Sequence, residues 1–205
     1  MIPFMPGDVL LSTAYFPAVG YFSLIKNADT VFIEREENYI KQTYRNRCKI
    51  LTSNGILNLS VPVMKGSAVK AQVKDIVIDY SKRWQQVHFG AITSAYNRSP
   101  YFMYYSEQLA RILFKNHKFL IDLNDDILVN CLEYLKIDKC IQYTSFFQPD
   151  RALSSDYRCR LSPKKKGPEL FSRPYIQVFG DSGFVPGLSI LDLLFNKGPE
   201  SVDYI

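Results

Sequence analysis

The sequence predicts an α/β fold in a single domain, and three observations carry that reading. A strand-helix-strand pattern opens the chain, an Asn54-Gly55 pair separates two apolar runs, and helical periodicity takes over from about residue 82 to 137. The 205 residues stay within what one core supports and no linker interrupts them, so one domain is expected over 1–205. A hydrophobic share of 47% against 22% charged places the chain among folded globular proteins rather than disordered ones.

In the opening unit, GDVLLSTAYF supplies a short apolar run that Pro17 to Gly20 breaks. YFSLIKNA has the spacing of a short helix and TVFIE resumes an extended pattern. A helix between two strands predicts that they pair in parallel. In CKILTSNGILNLSVPV, Asn54-Gly55 supplies the positive φ values that a tight hairpin turn requires. VKDIVIDY alternates with period two and is expected as a further strand, with Ile76 and Ile78 on its buried, even-numbered face. A mixed sheet is expected from these pieces.

The helical layer follows. Trp84, Val87, His88, Ala91, Ile92 and Ala95 recur at three- and four-residue spacings and form one helix face. SPYFMYYSEQLARILFKN offers Ser99 as N-cap, Pro100 at the first helical position, and Leu109, Ile112 and Leu113 as its stripe. LNDDILVNCLEYLKI predicts a third helix capped by Asn124, with acids in its first turn and Ile127, Leu128, Cys131, Leu132 and Leu135 inward. After Cys140, IQYTSFF and PYIQVF read as strands, and the polar stretch between them reads as a surface loop of the kind that often covers a site. LSILDLLFNKG is a final helix that Gly198 and Pro199 stop.

No basic segment precedes an apolar run in MIPFMPGDVLLSTAYFP, so no signal peptide is expected. No apolar run approaches the roughly 20 residues of a membrane span. A soluble, cytoplasmic protein is expected. Cys48, Cys131, Cys140 and Cys159 are widely separated and lack a CxxC pair, which argues for reduced thiols and against a metal site. The net charge of +5 is modest, and the Lys164, Lys165, Lys166 run is either a solvated loop or a greeter of an anionic ligand. Basic stripes interleaved with aromatics are absent, so DNA is not an expected partner.

The chain contains no GxSxG, HExxH, GxGxxG or GxxxxGK[ST]. His88 sits centrally on an apolar stripe, where it is either a core histidine bonded to a backbone carbonyl or a general acid or base tuned by burial. His117 reads as a capping or surface residue. In TYRNRCK an extended backbone would place Arg45 and Arg47 on one side, to fork onto phosphate or carboxylate or to line a solvated edge, with Tyr44 and Asn46 on the other. Tyr96, Asn97, Arg98 and Tyr101 cluster where one helix yields to the next.

Four ordered blocks give the chain a resemblance along nearly its whole length: YFPAVGYFSLIKNADTVF, TYRNRCKILTSNG, RWQQVHFGAITSAYNRSPYF and PYIQVFGDSGFVPGLSILDLLFNKGPES. It resembles the WbqC-like family. The resemblance implies association with bacterial surface polysaccharide, notably O-antigen gene clusters, and with a proposal that one member transfers glycine onto a sugar. The chain departs from the family pattern in VFIEREENYIKQ, where Glu34, Glu36 and Glu37 stand for a common Asp-Asp, and in Ser12-Thr13-Ala14, where Gln-Pro is common.

The expected function is therefore a group transferase that places an acyl or aminoacyl group on an activated sugar. His88 is its expected base, with Glu34 or Asp192 as the assisting acid. Arg45, Arg47 and Lys82 would meet a nucleotide diphosphate, Tyr15, Tyr21, Trp84 and Tyr101 would stack on a sugar, and Asn46, Tyr96 and Gln177 complete the expected binding set. A charge of +5 argues against glycyl-tRNA as the donor. No cofactor is identified, and homo-oligomerisation is compatible with the sequence. The alternatives are a non-catalytic nucleotide-sugar-binding or assembly module, or an adenylating enzyme that seats a nucleotide on the opening β-α-β turn. Catalysis by His88 requires it to reach the same cleft as the arginines and acids, whereas a binding module tolerates an enclosed imidazole.

Overall fold

The structure is a computed structural model that describes Met5 and residues 7–64, 71–149, 155–161, 173–179 and 183–205. Strand β1 (Val9–Ser12), helix α1 (Val19–Asn27) and strand β2 (Val31–Glu34) form the opening unit. The strands pair in parallel, Val9 opposite Val31 and Ser12 opposite Glu34. Leu11, Val31 and Ile33 are fully enclosed, as expected of a parallel sheet covered on both faces. Strand β5 (Ile141–Tyr143) joins β2, also in parallel, giving the order β1-β2-β5.

Strands β3 (Arg47–Thr52) and β4 (Gly55–Ser60) form the expected antiparallel hairpin, but Thr52 pairs with Gly55, so the turn residues are Ser53 and Asn54 rather than Asn54 and Gly55. Of these only Gly55, which opens β4, takes a positive φ, +96, where a residue without Cβ carries no steric penalty. The parallel and antiparallel pairings thus occupy two separate sheets of one α/β domain. VKDIVIDY belongs to neither. It opens as a 3₁₀ turn at Val73–Asp75 and continues as an extended strap. Its Val77 carbonyl accepts from Met64 N–H, while Ile78 N–H donates to Lys118 O and Ile76 O accepts from Leu120 N–H. Alternation placed Ile76 and Ile78 inside as expected, but the strap spends its backbone bonds on two different neighbours and builds no ladder.

Helices α2 (Trp84–Tyr96), α3 (Phe102–Phe114) and α4 (Leu120–Tyr134) supply the cover. On α2, Trp84, His88, Ile92 and Ala95 face inward, but Val87 is exposed and Gln85 is buried, its amide donating to Leu113 O. Ser99 does not cap α3. Its hydroxyl donates back to Tyr96 O, and α3 starts three residues later, where Tyr101 N–H is anchored on Phe195 O. Asn124 does not cap α4 either, because that helix begins at Leu120, whose N–H is held by the strap. His117 is buried, with Nε2 2.7 Å from an Asp126 carboxylate oxygen, rather than a surface residue.

Helix α5 (Ile190–Lys197) is capped by Ser189, whose Oγ accepts from Leu191 N–H, and Gly198 ends it at φ +53 as expected. A Cβ at Gly198 would stand 2.4 Å from the Tyr101 ring, so this close approach also demands glycine. PYIQVF is not a strand. The Gln177 side chain does the pairing instead, donating to Val185 O and accepting from Val185 N–H. The four cysteines form no disulfide. Among the described residues no helix is long and apolar enough to cross a membrane, and no His, Cys, Asp and Glu cluster is arranged to hold a metal. The lysine run at 164–166 lies outside the described residues.

Candidate functional site at the carboxyl edge of the parallel sheet

The three parallel strands end together at Ser12, Glu34 and Tyr143. Ligand sites of open α/β sheets form at this edge, beyond the strand carboxyl ends. Here the β1–α1 loop crosses the edge with Phe16 at φ +38, an unusual backbone for a bulky side chain, held by burial of its ring. Beside the loop lies a narrow cleft of about 20 Å³ that opens to solvent, lined by Thr13, Pro17, Tyr21, Tyr44, Arg45 and Arg158 among others.

The turn preceding β3 delivers Arg45, which is 3% exposed. Its guanidinium forks onto Glu37, with Nε 2.8 Å from Oε1, and donates to Ser12 Oγ at 2.7 Å. Arg158 comes from the polar stretch after β5 and is 2% exposed. Its Nη1 donates to Glu34 Oε2 at 2.9 Å and to Gln148 O at 2.8 Å, while Nε and Nη2 grip Asp156. The other Glu34 oxygen accepts from Thr144 Oγ1 at 2.6 Å and Glu36 N–H at 2.8 Å. From α4, Asn124 Nδ2 bridges Thr13 Oγ1 and Arg45 O, tying the loop to the turn.

Burying charges in pairs is costly and adds little stability over an apolar core, so such a concentration beside a cleft marks a candidate site. The cluster sets two guanidiniums against three carboxylates, Glu34, Glu37 and Asp156, and so presents no net positive charge. Tyr44 contributes a buried hydroxyl with no partner among the described residues. Burial pushes that hydroxyl up to about 12, so at neutral pH it is a proton-bearing donor without an acceptor. Asp125, next to Asn124 on α4, is hydrogen-bonded to Tyr143 at the end of β5. Burial pushes its carboxyl up to about 6, partly opposed by that bond and by Arg35, which places a titrating group near neutrality at the same sheet edge.

The sequence profile of the WbqC-like protein family matches residues 13–167 and 168–204. The chain belongs to the WbqC-like family. It is also 28% identical to an uncharacterized protein of Mycobacterium tuberculosis, over 96% of this chain and 96% of that one. No solved structure matches it significantly.

In this WbqC-like protein the residues expected to form one site are dispersed over several places. Tyr21 and Arg45 line the cleft and Glu34 stands directly behind Arg158. Tyr21 OH donates to Ser12 O, and burial raises its pKa. His88 is enclosed behind the β1–α1 loop, with Nδ1 2.9 Å from Tyr15 OH, the Trp84 ring edge-on, and a bond to the Ser60 backbone. Burial lowers its pKa to about 4, which keeps the imidazole neutral. Asp192 is fully buried in another place, accepting from Tyr96 OH at 2.9 Å, Tyr175 OH at 2.7 Å and Gln177 Nε2 at 2.9 Å. Burial raises its pKa. Tyr101 packs on Gly198, and Lys82 is exposed in the turn before α2. TYRNRCK is extended only from Arg47 onward, so Tyr44 and Arg45 share the cleft while Asn46 and Arg47 line a different hollow.

Sequence reasoning missed Arg158, Asp156, Asn124 and Asp125 as members of the site. The Asp-x-Arg spacing of DYRCR was the available signal for the first two, since it lets carboxylate and guanidinium pair locally. The two α4 residues carried a signal that pointed elsewhere, because Asn-Asp-Asp reads as a helix start.

Proposed function

We propose that this WbqC-like protein is a group transferase that holds the sugar ring of an activated sugar over the mouth of the cleft and places an acyl or aminoacyl group on it, in bacterial surface-polysaccharide synthesis. One observation carries the reading: the buried guanidiniums of Arg45 and Arg158, held from behind by Glu34, Glu37 and Asp156, and the unpartnered hydroxyl of Tyr44 stand at an aromatic-walled cleft at the carboxyl edge of a parallel sheet. A wall without net positive charge suits a neutral polyol better than an anion, Tyr21, Tyr44 and Tyr157 supply its aromatic lining, and Tyr44 OH donates to a ring substituent.

In this mechanism Asp125, bonded to Tyr143 at the same sheet edge, is the general base. Ionised at neutral pH, it takes the proton of the sugar's amino or hydroxyl group as that group bonds to the donor's acyl carbon. The bond from that carbon to the donor's carrier breaks, the carrier leaving with the electron pair and then the proton. His88 acts from behind, fixing Tyr15 and through it the loop that walls the cleft. The enclosed imidazole and the self-satisfied charge network favour a second reading, a non-catalytic module that only holds the sugar.

Thermal unfolding in the presence of sugars, amino sugars, nucleotide-sugars and amino acids tests the site, since a ligand of the folded state raises the unfolding temperature. A stabilising sugar is expected, with affinity reduced about tenfold in Tyr44→Phe, roughly 1.4 kcal/mol. Asp125→Asn should keep that affinity and lose polysaccharide complementation. Full complementation by the folded Asp125→Asn protein selects the binding module, and a ligand panel without any effect overturns both readings.

A further inference from the structure

Asn46 and Arg47, the residues that follow Arg45, line a second and more open hollow of about 330 Å³, together with Tyr39, Lys41, Ser60 and Pro62 among others. Three polar atoms of this wall are buried with no partner among the described residues: Tyr39 Oη, Asn46 Oδ1 and Arg47 Nε. Tyr39 is 8% exposed and Asn46 9%. An unmade bond of this kind costs folding free energy, and of the ten such atoms among the described residues three gather around this one hollow, which points to a ligand there. The Asn46 amide cannot turn to find relief, because its Nδ2 is held on Val61 O at 3.0 Å. Lys41 and Arg47 add two positive charges, neither in an ion pair with a described residue, and no described carboxylate lines the hollow. Burial pushes the Tyr39 hydroxyl up to about 12, against the pull of Arg45 and Arg47, so it remains a donor at neutral pH.

The set therefore comprises two donors, a second cation at the rim and one fixed acceptor. We propose that this hollow binds a phosphate ester that also carries a free hydroxyl, a ligand of the sugar-phosphate class. Phosphate oxygens accept from Arg47 Nε–H and Tyr39 O–H, Lys41 matches the second charge of the dianion, and a ligand hydroxyl donates to Asn46 Oδ1. A tetrahedral dianion meets donors arriving from separate segments, whereas a planar carboxylate carries one charge and offers two coplanar oxygens. The hollow shares no lining residue with the cleft at the sheet edge, so this site and the transferase reading succeed or fail separately.

The test is calorimetric titration of the full chain at low ionic strength with glucose 1-phosphate, inorganic phosphate, glucose and lactate. Glucose 1-phosphate should bind, inorganic phosphate more weakly, and glucose and lactate not measurably. Arg47→Gln and Tyr39→Phe should each weaken glucose 1-phosphate at least tenfold, while Arg111→Gln, which removes an exposed cation elsewhere, should not change it. Unliganded Tyr39→Phe should melt no lower than the native chain, since its hydroxyl has nothing to lose. No binding, equal affinity in Arg47→Gln and Tyr39→Phe, an equal loss in Arg111→Gln, or a lower melting temperature for Tyr39→Phe would each overturn the proposal.

Discussion

Two regions of this WbqC-like protein bury ionisable groups, and they neutralise them differently. At the sheet edge Glu34, Glu37 and Asp156 are met by the opposite charges of Arg158 and Arg45. Under α2 and α5, Asp192 and His88 are met only by neutral partners: two tyrosine hydroxyls and an amide for the carboxylate, one tyrosine hydroxyl and a backbone group for the imidazole. The difference teaches where chemistry belongs. A charge held by an opposite charge stays charged and keeps an electric field beside the cleft, whereas a group held by neutral partners is driven toward its uncharged form and serves as a strut.

The strongest way to break the contrast is Arg158→Met, which leaves Glu34 and Asp156 buried without a counter-charge. A loss of roughly 3–5 kcal/mol in urea unfolding is expected. For His88 the native pKa of about 4 lies below the usual value of 6.5, so between these values the unfolded chain binds a proton that the folded chain refuses. Stability should therefore fall as pH drops from 6.5 toward 4, by up to about 3 kcal/mol, and His88→Gln should lack that slope. Replacing Asp192 by Asn keeps one acceptor and turns the other toward existing donors, at a cost of roughly 1–3 kcal/mol. Because burial raises the Asp192 pKa, the native carboxyl gives up stability as pH rises above its unfolded value, and the Asn variant should show a flatter pH profile there. The smallest effect is expected of Tyr44→Phe, within about 0.5 kcal/mol of the native chain, since no internal bond is lost. A large loss there would place the Tyr44 hydroxyl among the structural groups and remove it from the cleft.

Much of the fold was legible because its signals are local. The hairpin signalled by Asn54-Gly55, though it turns one residue earlier, the parallel β1–β2 pair and the helices beginning near Trp84 and Ile190 follow from turn chemistry and periodicity within short windows. The site was far less legible. Arg158 reaches Glu34 across 124 residues and Asn124 reaches Thr13 across 111, separations that no local pattern encodes. Tertiary bonding also displaced correct patterns: VKDIVIDY alternates yet serves as a strap, and Asn124 follows a cap rule yet sits inside a helix whose first turn is fixed by Ile76. His88 stood out in the sequence for its apolar company, and that same company encloses it.

The middle strand of the parallel sheet must wait for its second neighbour. Thr144 and Glu34, which close β5 against β2, lie 110 residues apart, so during synthesis β2 emerges with one edge unpaired while the hairpin and three helices are still being made. An open apolar edge is a template for pairing with another chain, and non-local strand pairing is slow. The cleft, which also needs Arg158, is consequently among the last features to assemble, and newly made chains are at greatest risk of association before residue 158 can fold back onto the sheet.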